Sequence, residues 1–84
     1  MSCYYIIGIR MDNRVNNATN LQDLLTKNGC NIKARLGLHE TGDDLCSNDG
    51  LIILQPCGKK EDIDKLVKDL NSLKGVKAKL IDLN

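Results

Sequence analysis

Eighty-four residues are enough for one compact domain, read here as spanning residues 1–84, and a chain this short buries only roughly 60% of its unfolded surface, so nearly every element must feed the core. Apolar residues make up 42% of the chain, and with two tyrosines and no Trp or Phe the core has to be built from Ile, Leu and Val. Twelve basic against eleven acidic residues leave a formal charge of +1, which excludes the strong phosphate attraction behind charge-driven nucleic-acid binding, so no direct nucleic-acid partner is expected.

The first element is CYYIIGIRM, residues 3 to 11. Its alternation puts Tyr5, Ile7, Ile9 and Met11 on one face and Tyr4, Ile6, Gly8 and Arg10 on the other, the pattern of a strand apolar on both sides for most of its length. Asp12 or Asn13 is positioned to cap a helix in which Ala18, Leu21 and Leu25 fall on one stripe, flanked by Val15 and Leu24, and which Gly29 ends. Asn16, Asn17 and Asn20 give that helix a poor intrinsic propensity, so packing must hold it.

IKARLGLHE, residues 32 to 40, alternates Ile32, Ala34, Leu36 and Leu38 with Lys33, Arg35, Gly37 and His39, and the expectation is that the first set faces the core. A polar connection rich in Gly, Asn and Asp follows, from His39 to Gly50. LIILQ, residues 51 to 55, is a third strand with no polar residue before Gln55, closed by Pro56. In KKEDIDKLVKDLNSLKG, Ile63, Leu66, Val67, Leu70 and Leu73 follow helical spacing, acids lie early and Gly75 stops the helix. VKAKLIDL, residues 76 to 83, alternates Val76, Ala78 and Leu80 against lysines.

The order is βαββαβ, and right-handed crossovers turn it into a ferredoxin-like α+β domain: a four-stranded antiparallel sheet of order 4-1-3-2 with both helices on one face. Strands 1 and 3, apolar on both sides, suit the centre, and strands 2 and 4, carrying Lys or Arg, suit the edges. The sheet face away from the helices should then carry an apolar patch containing Tyr4, Ile6 and Ile81, a surface for sheet-to-sheet or edge-to-edge self-association.

Arg10 and His39 are expected to share one end of that open face, about 10 Å apart across two strand spacings, with Gly37 and Gly8 leaving a shallow floor. These residues form the candidate ligand site, suited to a small anion near the first helix's N-terminus. Asp43 and Asp44 are candidate ligands for a hard cation, with loop solubility the simpler account. No nucleophile or paired carboxylate accompanies His39, so no catalytic residue is assigned and the chain is read as non-enzymatic.

Cys3, Cys30, Cys46 and Cys57 have irregular spacings and no CxxC pair, and they are expected to be reduced thiols, with His39, Cys46 and Cys57 a weak candidate metal set. Neither a secretory leader nor an 18-residue apolar run is present, so a cytoplasmic chain with no membrane partner is expected.

The stretch IKARLGL, together with the ending LNSLKGVKAKLIDL, resembles the small regulators assigned to the iron-only hydrogenase system, ferredoxin-fold domains related to ACT domains and to the ligand-binding domain of nickel-responsive repressors. The resemblance covers nearly the whole chain. It implies a homodimer or homotetramer that senses or regulates without known catalysis, with a small-molecule ligand at a subunit interface and a cofactor that is unknown. The segment MDNRVNN lacks the glycine that ACT domains often carry in their first strand-to-helix loop, and a single histidine does not reproduce a nickel-repressor site. Two alternatives stand beside the regulator: a small metal-handling protein, whose MxCxxC motif is missing, and an acylphosphatase-like hydrolase, whose phosphate-cradling glycines are missing.

Overall fold

The computed structural model describes residues 3–12, 18–38 and 49–84. Its elements are β1 (Tyr5–Asp12), α1 (Ala18–Lys27), a 3₁₀ turn (Gly29–Asn31), β2 (Ile32–Leu38), β3 (Asp49–Pro56), α2 (Lys60–Asn71) and β4 (Val76–Asp82). The four strands form one antiparallel sheet in the order β2-β3-β1-β4, the same order as 4-1-3-2 read from its other edge. This is the expected ferredoxin-like layout, with β1 and β3 central.

One face of the sheet is dry. Tyr5, Ile7 and Ile9 of β1, Ile52 and Leu54 of β3, and Val76 and Ala78 of β4 are buried together with Leu21 and Leu25 of α1 and Ile63, Leu66 and Leu70 of α2. Each aliphatic side chain removed from water in this way contributes roughly 1.5–3 kcal/mol. Both helical stripes therefore pack as their periodicity requires. Glu61 and Asp62 in the first turn of α2 complement its positive end, and Lys60 meets Asp64 one turn on at 3.3 Å.

Several boundaries differ from the sequence reading. Asp12 is the last residue of β1, opposite Asp49; Asn13, Val15, Asn16 and Asn17 lie outside the described residues. Asp49 and Gly50 belong to β3 rather than to the connection, because they pair with Asp12 and Met11. Helix α2 ends at Asn71, with the Ser72 hydroxyl donating to the Asp69 carbonyl at 2.6 Å, and Gly75 instead takes a left-handed φ of 80° in the turn that enters β4.

The largest correction concerns β2. Ile32 pairs with Pro56 and Ala34 with Gln55, so two residues of β2 advance against one of β3 and Lys33 is the extra residue of a β-bulge. Beyond the bulge the side-chain parity is inverted. Leu36 pairs with Ile53, which pairs with Gly8 on the open face, whereas Gly37 pairs with Ile52 in the buried row that also contains Ile9 and Ala78. Ala34 and Leu36 therefore belong to the open face, and Arg35 and Gly37 to the helix side. Residues 33–37 are exposed all the same, because neither helix covers this edge strand.

Candidate functional site

The register lays the open face out row by row. At one end Leu51 of β3, Arg10 of β1 and Lys77 of β4 stand side by side; the next row holds Leu36, Ile53, Gly8 and Lys79, and the third Ala34, Gln55, Ile6 and Ile81. Beyond these, the Leu83 N–H donates to the Tyr4 carbonyl at 2.8 Å and extends the pairing of β1 with β4. Apolar groups thus form a diagonal band from Leu36, Leu51 and Ile53 to Ile6, Ile81, Tyr4 and Leu83. Lysines 77 and 79 occupy the corner beside Arg10.

This band is open to water. Tyr4 is 69% exposed, Leu36 55% and Ile81 51%, while Ile6 and Ile53 are half-buried by their neighbours. Tyr4, Ile6 and Ile81 thus stand together on one surface, as the alternation of β1 and β4 suggested. Leu36 was missed, because a bulge leaves no mark in an alternating pattern.

The residues expected to bind a ligand are not all brought together. Arg10 is exposed on the open face and Gly8 lies beside it, with no atom within 4 Å of the position a Cβ would take. Gly37 is on the opposite face of the sheet, so it cannot floor a site built around Arg10. His39, Asp43, Asp44 and Cys46 lie outside the described residues.

Cys57 is not a free thiol. It forms a disulfide with Cys3, the two Cα atoms 4.3 Å apart and 54 residues apart in sequence, which corrects the reading of these two cysteines as reduced thiols. The antiparallel register of β1 and β3 brings Cys3, just before one strand, against Cys57, just after the other; no sequence spacing signals such a pairing. Bonded to Cys3, the Cys57 sulfur is not a thiolate available to a metal. Cys30 is a free, exposed thiol. Among the described residues no three His, Cys, Asp or Glu side chains converge as a metal-binding group.

A groove of about 210 Å³ runs between the helices, lined by Lys27, Asn28, Asp62, Lys65 and Asp69 over a floor of Leu24 and Leu66. Its charges are of both signs, Lys27, Asp62 and Lys65 exposed and Asp69 half-buried, along the facing sides of α1 and α2. No helix among the described residues is long and apolar enough to cross a membrane.

The same fold occurs in a solved structure. That structure, of an uncharacterized protein from Thermotoga maritima, superimposes with a TM-score of 0.84 and shares 24% identity over 95% of both chains. At this identity the likeness is one of fold. No protein-family profile and no curated protein matches the chain.

Proposed function

We propose that the protein is a non-catalytic regulatory, ligand-sensing module, like the small regulators assigned to the iron-only hydrogenase system that it resembles, and that it self-associates face to face through the open side of its sheet. The observation that carries this reading is the diagonal apolar band from Leu36 and Leu51 to Ile81 and Tyr4. Contiguous exposed apolar surface of this kind marks an interaction site.

Two features favour a second copy of the chain as the occupant. Both sheet edges are blunted: β2 by its bulge and by exposed Lys33 and Arg35, β4 by the Asn71 side chain, which bonds to the Ala78 backbone. Face-to-face packing is therefore favoured over strand addition. The charge layout also suits a two-fold axis along the band. Such an axis lays apolar groups on apolar groups and sets Lys77 and Lys79 opposite the uncharged Ala34 and Gln55 corner of the second copy, so like charges do not meet.

Native mass spectrometry of protein purified without an affinity metal step tests assembly and ligand together. The expected result is a dimer or tetramer, with additional mass if a ligand is retained. A bare monomer at micromolar concentration would overturn the self-association reading.

A further inference from the structure

Three cysteines lie in a row at one end of the sheet. Cys3 precedes β1, Cys57 follows β3, and Cys30 sits in the 3₁₀ turn that feeds β2, so the strand order β2-β3-β1 places Cys57 between the other two. The Cys57 N–H donates to the Asn31 carbonyl at 2.7 Å, which continues the β2–β3 ladder one residue beyond the Ile32–Pro56 pair. Cys30 is the next residue. Cys30 lies in a 3₁₀ turn, so only an upper bound follows: an opposed pair has Cα atoms about 5 Å apart and consecutive Cα atoms are about 3.8 Å apart, which keeps the Cys30 Cα within about 9 Å of the Cys57 Cα. Disulfides span roughly 4.4–6.8 Å, so a shift of the turn by about 2 Å at most brings the pair into range.

Cys30 is exposed and free, whereas Cys57 and Cys3 are half-buried and joined. Breaking the bridge need not unzip β1. Its start is held independently by the Gln55 side-chain amide, which donates to the Cys3 carbonyl at 2.8 Å, and by the bond from the Leu83 N–H to the Tyr4 carbonyl.

We propose that Cys30 is the exchange partner of the Cys3–Cys57 disulfide, making this end of the sheet a three-cysteine thiol–disulfide site. The Cys30 thiol gives its proton to solvent and the thiolate attacks the Cys57 sulfur. The new Cys30–Cys57 bond forms as the Cys57–Cys3 bond breaks, the electron pair leaves on the Cys3 sulfur, and that sulfur takes up a proton. One disulfide and one thiol stand on each side of the step, so no oxidant or reductant is consumed. The bridge moves from the β1–β3 junction to the junction of β3 with the turn before β2.

The test is disulfide mapping in a Cys46→Ser background, which removes the remaining thiol. Protein prepared without reductant is held between pH 6 and pH 8, quenched with acid, labelled at free thiols with a maleimide and digested with pepsin at low pH. Label is expected on Cys30 in most molecules and on Cys3 in a fraction that grows to a plateau. Because the thiolate is the nucleophile, that growth should be slower at pH 6 than at pH 8. The Cys30→Ser variant should carry no label on Cys3.

Label confined to Cys30 at every pH and time would overturn the proposal. So would Cys3 labelling that rises with protein concentration, which means exchange between molecules, or immediate labelling of Cys3, Cys30 and Cys57 alike, which means no bridge. Mapping the unsubstituted chain in the same way, scoring any bridge to Cys46 separately, keeps the test decisive if the Cys46→Ser variant does not fold.

Discussion

The Asn71 carboxamide pairs with both backbone groups of Ala78: its Nδ2 donates to the Ala78 carbonyl at 3.0 Å and its Oδ1 accepts from the Ala78 N–H at 2.7 Å. A side chain at the end of α2 thus does for the backbone of Ala78, on the outer edge of β4, what a fifth strand would do. It also fixes where the helix ends against the sheet.

Replacing Asn71 by Ala should cost about 1–2 kcal/mol, from two lost hydrogen bonds at a partly exposed site. Urea unfolding measures that loss, and faster amide exchange at Ala78 locates it. Asn71→Asp should retain the bond from the Ala78 N–H but set a carboxylate against the Ala78 carbonyl, so it should not restore the full stability.

The inverted parity of β2 is tested by contrast with its neighbour. Measured in the monomeric Ile81→Lys background, Leu36→Lys places a charge where the side chain of the single chain meets water and should change unfolding free energy by no more than about 0.5 kcal/mol. Leu54→Ala, at a fully buried position on the helix side of β3, should cost about 2–5 kcal/mol. A Leu36→Lys penalty as large as that for Leu54→Ala would contradict the bulge.

Self-association through the open face makes Ile81 a sensitive position, since it pairs with Ile6 and is one of the exposed apolar side chains of the band. Ile81→Lys should shift the assembly to monomer in sedimentation velocity, with an unchanged far-ultraviolet circular dichroism spectrum. An oligomer of unchanged mass would exclude this face as the interface.

Gly75→Ala should destabilise the fold by about 1–2 kcal/mol, because a Cβ is unfavourable at a φ of 80°. Thermal unfolding reads this directly.

Asp82 supplies a dependence on acid. Its carboxylate accepts first from the Asn84 backbone N–H at 3.0 Å and then from the Asn84 side-chain amide at 2.7 Å, and both bonds hold its pKa below the ordinary aspartate value. A carboxyl lowered in the folded state adds stability above its unfolded pKa and loses that contribution as pH falls through its folded pKa. Nuclear magnetic resonance should therefore find a low midpoint for Asp82 that rises in Asn84→Ala.

Much of the architecture was legible because burial leaves a local record. Ile6, Ile7, Ile9 and the Leu51–Leu54 run are apolar at both parities, which is what central strands covered on one side and gathered into a patch on the other require. Leu66 and Leu70 are spaced as one buried stripe of a helix requires. Exposed Tyr4 and Ile81 could be placed on one surface for the same reason, since alternation assigns a face wherever the ladder is regular.

The amino-acid order alone thus determined the element types, the central and edge strands, and the presence of an apolar open face. Only the tertiary structure decided the facing of β2, the Cys3–Cys57 bridge and the sealing of β4 by Asn71. An uncovered edge strand has no dry side, so the alternation of Ala34, Arg35, Leu36 and Gly37 holds no burial information, and one bulged residue is enough to reverse its facing. The disulfide and the Asn71 bracket depend on which backbone segments the register brings together, and that proximity is a property of the assembled sheet, not of any local pattern.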